Sequence, residues 1–183
     1  MKTESKLIKK EKVNVNIMVK VSLLVAISYL LTFIRIPLPI FPEYLKLDIA
    51  ELPALIAAFA LGPISGVAVI FIRNILDFLT KTSTGGVGEL SNFIVGSSFV
   101  ITAGMIYHYK KSRTTALIGV IAGTIVMAIL GLLSNKFLIF PLYGLPAEWG
   151  FLFTFIVPFN LIKGTINAVV AMLIYKKIAM LLK

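Results

Sequence analysis

Two asparagines, a lysine and a glycine in the last apolar run of the chain could do chemistry. They are Asn160, Lys163 and Gly164 of the stretch Pro158-Phe159-Asn160-Leu161-Ile162-Lys163-Gly164, and Asn167 just after it, all inside residues 151–182. On a helix, Asn160 and Asn167 project the same way, with Lys163 and Gly164 on either side of that line. The result is a polar stripe on an otherwise apolar rod. A lysine at the centre of a bilayer costs about 2.5–3.5 kcal/mol on insertion scales. That cost is tolerated when the ammonium faces a protein interior or a polar ligand, which makes the stripe a candidate binding site. The competing reading has Lys163 snorkelling to a surface and Asn160 bonding a neighbouring helix.

Other polar residues offer less. Arg73 and Asp77 form an i,i+4 pair of opposite sign, read first as mutual neutralisation. Asp48 and Glu51 fall at the start of an apolar segment, where a carboxylate favours the positive helix end; capping is the preferred reading for Glu51. Glu89 and Asn92 open another span and either cap it or line a cavity. Asn135 and Lys136 interrupt a fifth. The single histidine, His108, adjoins Lys110 and Lys111 and reads as a solvated loop residue. With no cysteine there is no disulfide or thiolate site. No His pair, Ser/His set or metal-ligand spacing supports an intramembrane enzyme built on Asp48, Glu51, Asp77 or Glu89.

These residues must be positioned by membrane spans. Of 183 residues, 58% are hydrophobic and 14% charged, against about 25% charged in soluble domains. Mean hydropathy is +0.98. The pattern gives an all-α integral membrane protein with six transmembrane helices, over about 15–34, 48–61, 67–79, 89–107, 115–139 and 151–182. Residues 1–12 form a polar lead-in, and 13–183 a single six-helix domain. Residues 35–48 carry Pro37, Pro39 and Pro42, which forbid a continuous helix. This apolar loop is either a lid over a pocket or packing against helix ends. Residues 62–66, Gly-Pro-Ile-Ser-Gly, force an antiparallel hairpin. The Gly85-Gly86-Val87-Gly88 loop lacks the Gly-Lys-Ser/Thr ending of a phosphate cradle, so nucleotide hydrolysis is rejected. Gly119 and Gly123 mark a helix-packing face, as do Ser22 and Ala26.

The formal charge of +10 sits in clusters at Lys2, Lys6, Lys9, Lys10 and Lys12, at Lys110, Lys111 and Arg113, and at Lys176, Lys177 and Lys183. All flank apolar spans and none is interleaved with aromatics, so they are topology signals rather than a nucleic-acid surface. The positive-inside bias puts both termini in the cytoplasm. The proline loop, the glycine loop and residues 141–149 then face outside, at the end where the Asn/Lys stripe begins.

Four stretches occur together and in order. They are Leu47-Asp48-Ile49-Ala50-Glu51-Leu52-Pro53-Ala54-Leu55, Gly62-Pro63-Ile64-Ser65-Gly66, Thr84-Gly85-Gly86-Val87-Gly88-Glu89-Leu90-Ser91-Asn92-Phe93 and Pro158-Phe159-Asn160-Leu161-Ile162-Lys163-Gly164. Together they resemble the riboflavin-specific substrate-binding (S) component of energy-coupling factor (ECF) transporters, across nearly the whole chain past the lead-in. The resemblance implies a six-helix protein of the plasma membrane that captures riboflavin from outside. It implies partnership with a membrane T component and two cytoplasmic ATPases. No cofactor is implied; riboflavin is the cargo. Asn160 and Lys163 are implied by motif as holders of the ribityl hydroxyls, and Asn135 by its place in the fifth span. Lys46 and Leu45 are implied at the end of the loop, and Glu89 as ligand contact or loop support. Tyr44, Phe41, Phe93 or Phe159 could flank the ring. S components commonly dock on the T component through Ala-xxx-Ala in the first helix; here the nearest pattern is Ser22-xxx-Ala26. The alternatives are an S component for another vitamin, or a stand-alone proton-coupled carrier using Arg73, Asp77 and Lys163.

Overall fold

The computed structural model describes residues 15–181, with side chains described to residue 174. The expected lead-in at 1–12, with its lysines, and Lys183 lie outside the described residues, as do the side chains of Lys176 and Lys177.

Six helices form the bundle: α1 (Val15–Leu31), α2 (Leu52–Leu61), α3 (Pro63–Lys81), α4 (Val87–Tyr109), α5 and α6. α5 runs Arg113–Ser134, passes through a π turn at Asn135–Ile139 and ends with Phe140–Leu142. α6 begins Trp149–Phe151, passes through a second π turn at Leu152–Ile156 and continues as Val157–Leu181. Four helices, α3 to α6, are long and apolar enough to cross a membrane. α1 has 17 residues and α2 has 10, about 25 and 15 Å at 1.5 Å per residue.

α2 starts later than the sequence pattern suggested because residues 48–51 are taken up by the preceding loop. It ends at Gly62, whose φ of 116° is open to glycine alone, and Pro63 begins α3 at once. This is the expected tight hairpin. His108 is not a solvated loop residue: it lies in the last turn of α4, and its Nε2 is 3.0 Å from the Ala58 carbonyl near the end of α2. The same carbonyl also accepts from the Gly62 backbone N–H at 3.2 Å, so His108 adds a second bond at the end of α2.

The proline loop forms no helix. Ile36–Pro37 (β1) pairs antiparallel with Lys46–Leu47 (β2), Ile36 opposite Leu47. This short ribbon brings the two ends of the loop together.

The core lies between all six helices, around the fully buried Leu55, Val69, Ile70, Phe99, Val100 and Met127, with Leu24 and Val25 of α1 joining it. Gly119 and Gly123 let α5 press onto α4: a Cβ at either would lie 2.8 Å from a carbonyl oxygen, of Ala103 or Phe99. The outward faces carry exposed apolar side chains such as Leu23, Phe71, Met105, Ile121 and Leu173, as a lipid-facing surface requires.

Candidate functional site

At the end of the bundle where the loops 32–51, 82–86 and 143–148 gather, a cavity of about 790 Å3 opens. Ligand pockets usually fall between about 300 and 1,000 Å3. The proline loop supplies one side of it through Tyr44, Leu45, Lys46 and Asp48, so the lid reading of that loop fits its position. Asn160, Lys163, Asn135, Lys46, Leu45 and Glu89, the six residues singled out from sequence, all line this one cavity.

Each is held differently. Asn135 and Asn160 are buried, and each donates one amide hydrogen to the carbonyl four residues back, Gly131 at 2.7 Å and Ile156 at 2.8 Å. Each Oδ1 and second amide hydrogen is left for a ligand. Asn135 opens the π turn of α5, and Asn160 bonds the last residue of the π turn of α6, irregularities that recur at functional sites. Gly131 makes the room for Asn160: a Cβ there would sit 2.7 Å from the Asn160 amide nitrogen. Glu89, in the first turn of α4, accepts a hydrogen bond from Thr84 Oγ1 at 2.9 Å. Leu45 packs on the apolar cluster of Phe140, Leu152 and Ile156, while Lys46 is exposed on β2.

Lys163 does not snorkel. It is 4% exposed, with Nζ 3.1 Å from Glu51 Oε1 and 3.2 Å from Asp48 Oδ1. Two of its three N–H groups are thus satisfied by carboxylates, leaving one for a ligand. Glu51 is therefore not a helix cap. It makes no side-chain capping bond; it is 1% exposed and pairs with Lys163 and, at 3.5 Å, with Arg73.

Arg73 and Asp77 do not neutralise each other either. Asp77 takes Arg35 at 2.6 Å and Lys81 at 3.2 Å, and accepts from Thr32 Oγ1 at 3.0 Å. The i,i+4 partner of Asp77 is Lys81, one turn further on. Asp48 also meets Arg35 at 3.6 Å. The polar stripe of α6 divides: Asn160 and Lys163 line the cavity, whereas Asn167 is buried behind it and donates to the Asp48 carbonyl at 3.1 Å. That bond ties the loop to α6.

Of the aromatics considered for a ring slot, Tyr44 and Phe159 line the cavity. Phe41 stacks edge-on against Phe159 at 5.6 Å, and Phe93 against Phe71. Burial, with Tyr143 adding a smaller push, raises the Tyr44 phenol above its ordinary value, so it remains a neutral donor.

The site combines apolar side chains and neutral amides with charged groups of both signs, Arg35, Lys46, Lys81 and Lys163 against Glu43, Asp48, Glu51 and Glu89, and among the described residues no group of three or more His, Cys, Asp or Glu could hold a metal ion. Comparison with known proteins gives the family. Residues 16–175 match the family model described as "ECF transporter, substrate-specific component". The chain belongs to the ECF transporter S components.

It is similar to the riboflavin transporter RibU of Staphylococcus aureus (strain TCH60), 37% identical over 174 residues, covering 91% of this chain and 92% of the relative. It is 34% identical to the riboflavin transporter FmnP of Bacillus subtilis (strain 168), covering 88% and 90%. A solved structure of the S component of a bacterial ECF transporter superposes with a TM-score of 0.81 at 39% identity, over 92% of this chain and 98% of that one. This S component is accordingly a multi-pass membrane protein of a transport system, not an enzyme.

Sequence reasoning missed Arg35 and Asp48 as members of the site and misplaced Glu51. The available signal was three carboxylates, Asp48, Glu51 and Asp77, in an apolar context, where each needs a cation. Ser22 and Ala26 are exposed on α1 and face no other helix of the bundle.

Proposed function

We propose that this S component captures riboflavin from outside the cell and delivers it inward with a T component and two cytoplasmic ATPases. The observation that carries the reading is the convergence of Asn135, Asn160 and Lys163 on one cavity beneath the proline loop. Ribityl hydroxyls both donate and accept. They can donate to the two asparagine Oδ1 atoms and accept from the remaining Lys163 N–H. The isoalloxazine ring needs an apolar slot, which Met127, Ile139, Ile156 and Phe159 provide. Two relatives that match over most of their length are riboflavin transporters, which supports the same cargo here. Leu45, Lys46 and Glu89 complete the proposed contacts.

The cavity end is the outer end in this proposal, and both termini are cytoplasmic. Lys110, Lys111 and Arg113, at the turn between α4 and α5, lie at the opposite end of the helices, in keeping with the positive-inside bias. Ser22 and Ala26 are the proposed docking face for the T component.

Titration of the purified chain with riboflavin, followed by quenching of flavin fluorescence, tests the cargo. Saturable quenching is expected; a protein that neither carries a yellow flavin nor quenches added riboflavin ends this reading in favour of another vitamin. Flux in liposomes holding this chain alone would favour a stand-alone carrier; a requirement for added T component, ATPases and ATP is expected.

A further inference from the structure

We infer that Asn92 reads the pyrimidinedione edge of the flavin and so sets which ring systems the cavity accepts. This inference rests on the riboflavin reading and deepens it. Gly88, Asn92, Val95 and Gly96 all line the cavity at helical spacing, so one face of α4 is turned to the ligand space. On that face Asn92 is partly buried and has no hydrogen-bond partner among the described residues. Its neighbour Glu89 is already engaged by Thr84 and offers only acceptors.

Asn135 and Asn160 each commit an amide hydrogen to their own helix. Asn92 keeps both its carbonyl and its amide free. The flavin's pyrimidinedione edge presents acceptor, donor, acceptor: a carbonyl oxygen, the N3–H and a second carbonyl oxygen. A carboxamide matches two adjacent members of that pattern, its Oδ1 accepting from N3–H and its Nδ2–H donating to a ring carbonyl. The walls of α5 and α6 cannot serve this edge as well, because beyond Asn135, Asn160 and Lys163 they are apolar: Met127, Ile139, Phe140 and Ile156. They suit the dimethylbenzene end of the ring instead. The cavity thus offers one polar wall for the ribityl chain and a second, on α4, for the ring edge.

The test titrates the full-length chain with riboflavin and with 3-methylriboflavin, which lacks the N3–H. The wild type is expected to hold the methylated flavin at least about tenfold more weakly, since a site built around a donor leaves its acceptor unpaired when the donor is gone. Asn92→Ala is expected to bind riboflavin about tenfold more weakly and to bind the two flavins alike. Asn92→Asp keeps an acceptor for N3–H and should keep discrimination, which also serves if the alanine variant folds poorly. An Asn92→Ala protein that retains the wild-type ratio overturns the inference, as does a wild type or an Asn92→Asp variant that binds both flavins equally; in each case the riboflavin reading still stands. A wild type that binds neither flavin overturns both.

Discussion

The Lys163 ammonium of α6 reaches the Asp48 carboxylate of the proline loop at 3.2 Å, with both side chains almost wholly buried. This ion pair joins the element proposed to hold the ligand to the element that covers it. The same two segments are joined again by Asn167, which bonds the Asp48 backbone carbonyl. Arg35 closes the loop onto α3 through Asp77. The base of the loop, around Arg35 and Asp48, is thus tied to the bundle by charge. Its tip, where Ile40 is largely exposed and Phe41 makes edge contacts with Phe155 and Phe159, is held by apolar contact.

Replacing Lys163 should damage folding and binding separately. Lys163→Met leaves Asp48 and Glu51 buried without their shared cation, which destabilises by about 3–5 kcal/mol. Riboflavin affinity should fall about tenfold or more. Adding Asp48→Asn should recover part of the thermal stability but not the affinity, since Glu51 keeps Arg73 as its cation. Thermal unfolding in detergent and flavin titration read the two effects; recovered affinity in the double variant would show that Lys163 acts only as a structural partner.

Gly131→Ala tests the asparagine wall without touching it. The added methyl group would lie 2.7 Å from the Asn160 amide nitrogen, so the side chain must move. Alanine is the better helix former by about 1 kcal/mol, so secondary structure should persist. Affinity for riboflavin should drop about tenfold while circular dichroism is unchanged. Unaltered affinity would remove Asn160 from the ligand contacts.

Asp48→Asn should loosen the loop. Asparagine retains an acceptor for the Ala50 amide but loses the charge that holds Lys163 and Arg35. Faster release of ligand, by about tenfold, is expected from a less firmly held cover, since interface changes act mostly on dissociation. Stopped-flow displacement measures it. A rate equal to wild type would mean that the loop is not what retains the ligand.

Ser22→Leu and Ala26→Leu place bulk on the exposed small-residue face of α1. Riboflavin binding should be unchanged, because neither residue lines the cavity. ATP-dependent uptake by the reconstituted transporter should fall steeply if small residues permit close helix approach to the T component. Normal uptake would move the docking face elsewhere.

Much of the site was legible because an amide or an ammonium inside a long apolar run has few tolerable roles. Asn160 and Lys163 stand out on that ground, and both line the cavity. Asn135 and Glu89 were legible as breaks in apolar runs next to loops. The ion pairs were not legible. A local rule pairs Arg73 with Asp77, yet Asp77 takes Arg35 from 42 residues away, and Arg73 takes Glu51. Helix spacing places two charges near each other, but burial lets each choose whichever partner the packing of other helices brings closer. The same holds for His108, whose basic neighbours suggested water and whose actual partner is the end of α2.

By itself the sequence determined the number of helices, their antiparallel order and the side on which the three long connections gather, because bilayer thickness fixes how much apolar chain a crossing needs. It also determined which polar residues had to be accounted for. Only the tertiary structure decided the pairing among them: that Lys163 is shared by Asp48 and Glu51, that Asn167 secures the loop while Asn160 faces the cavity, and that α4 presents Asn92 to the same space. The reason is that hydropathy is a property of each segment alone, whereas a buried charge is stabilised only by groups that other segments deliver within a few ångströms.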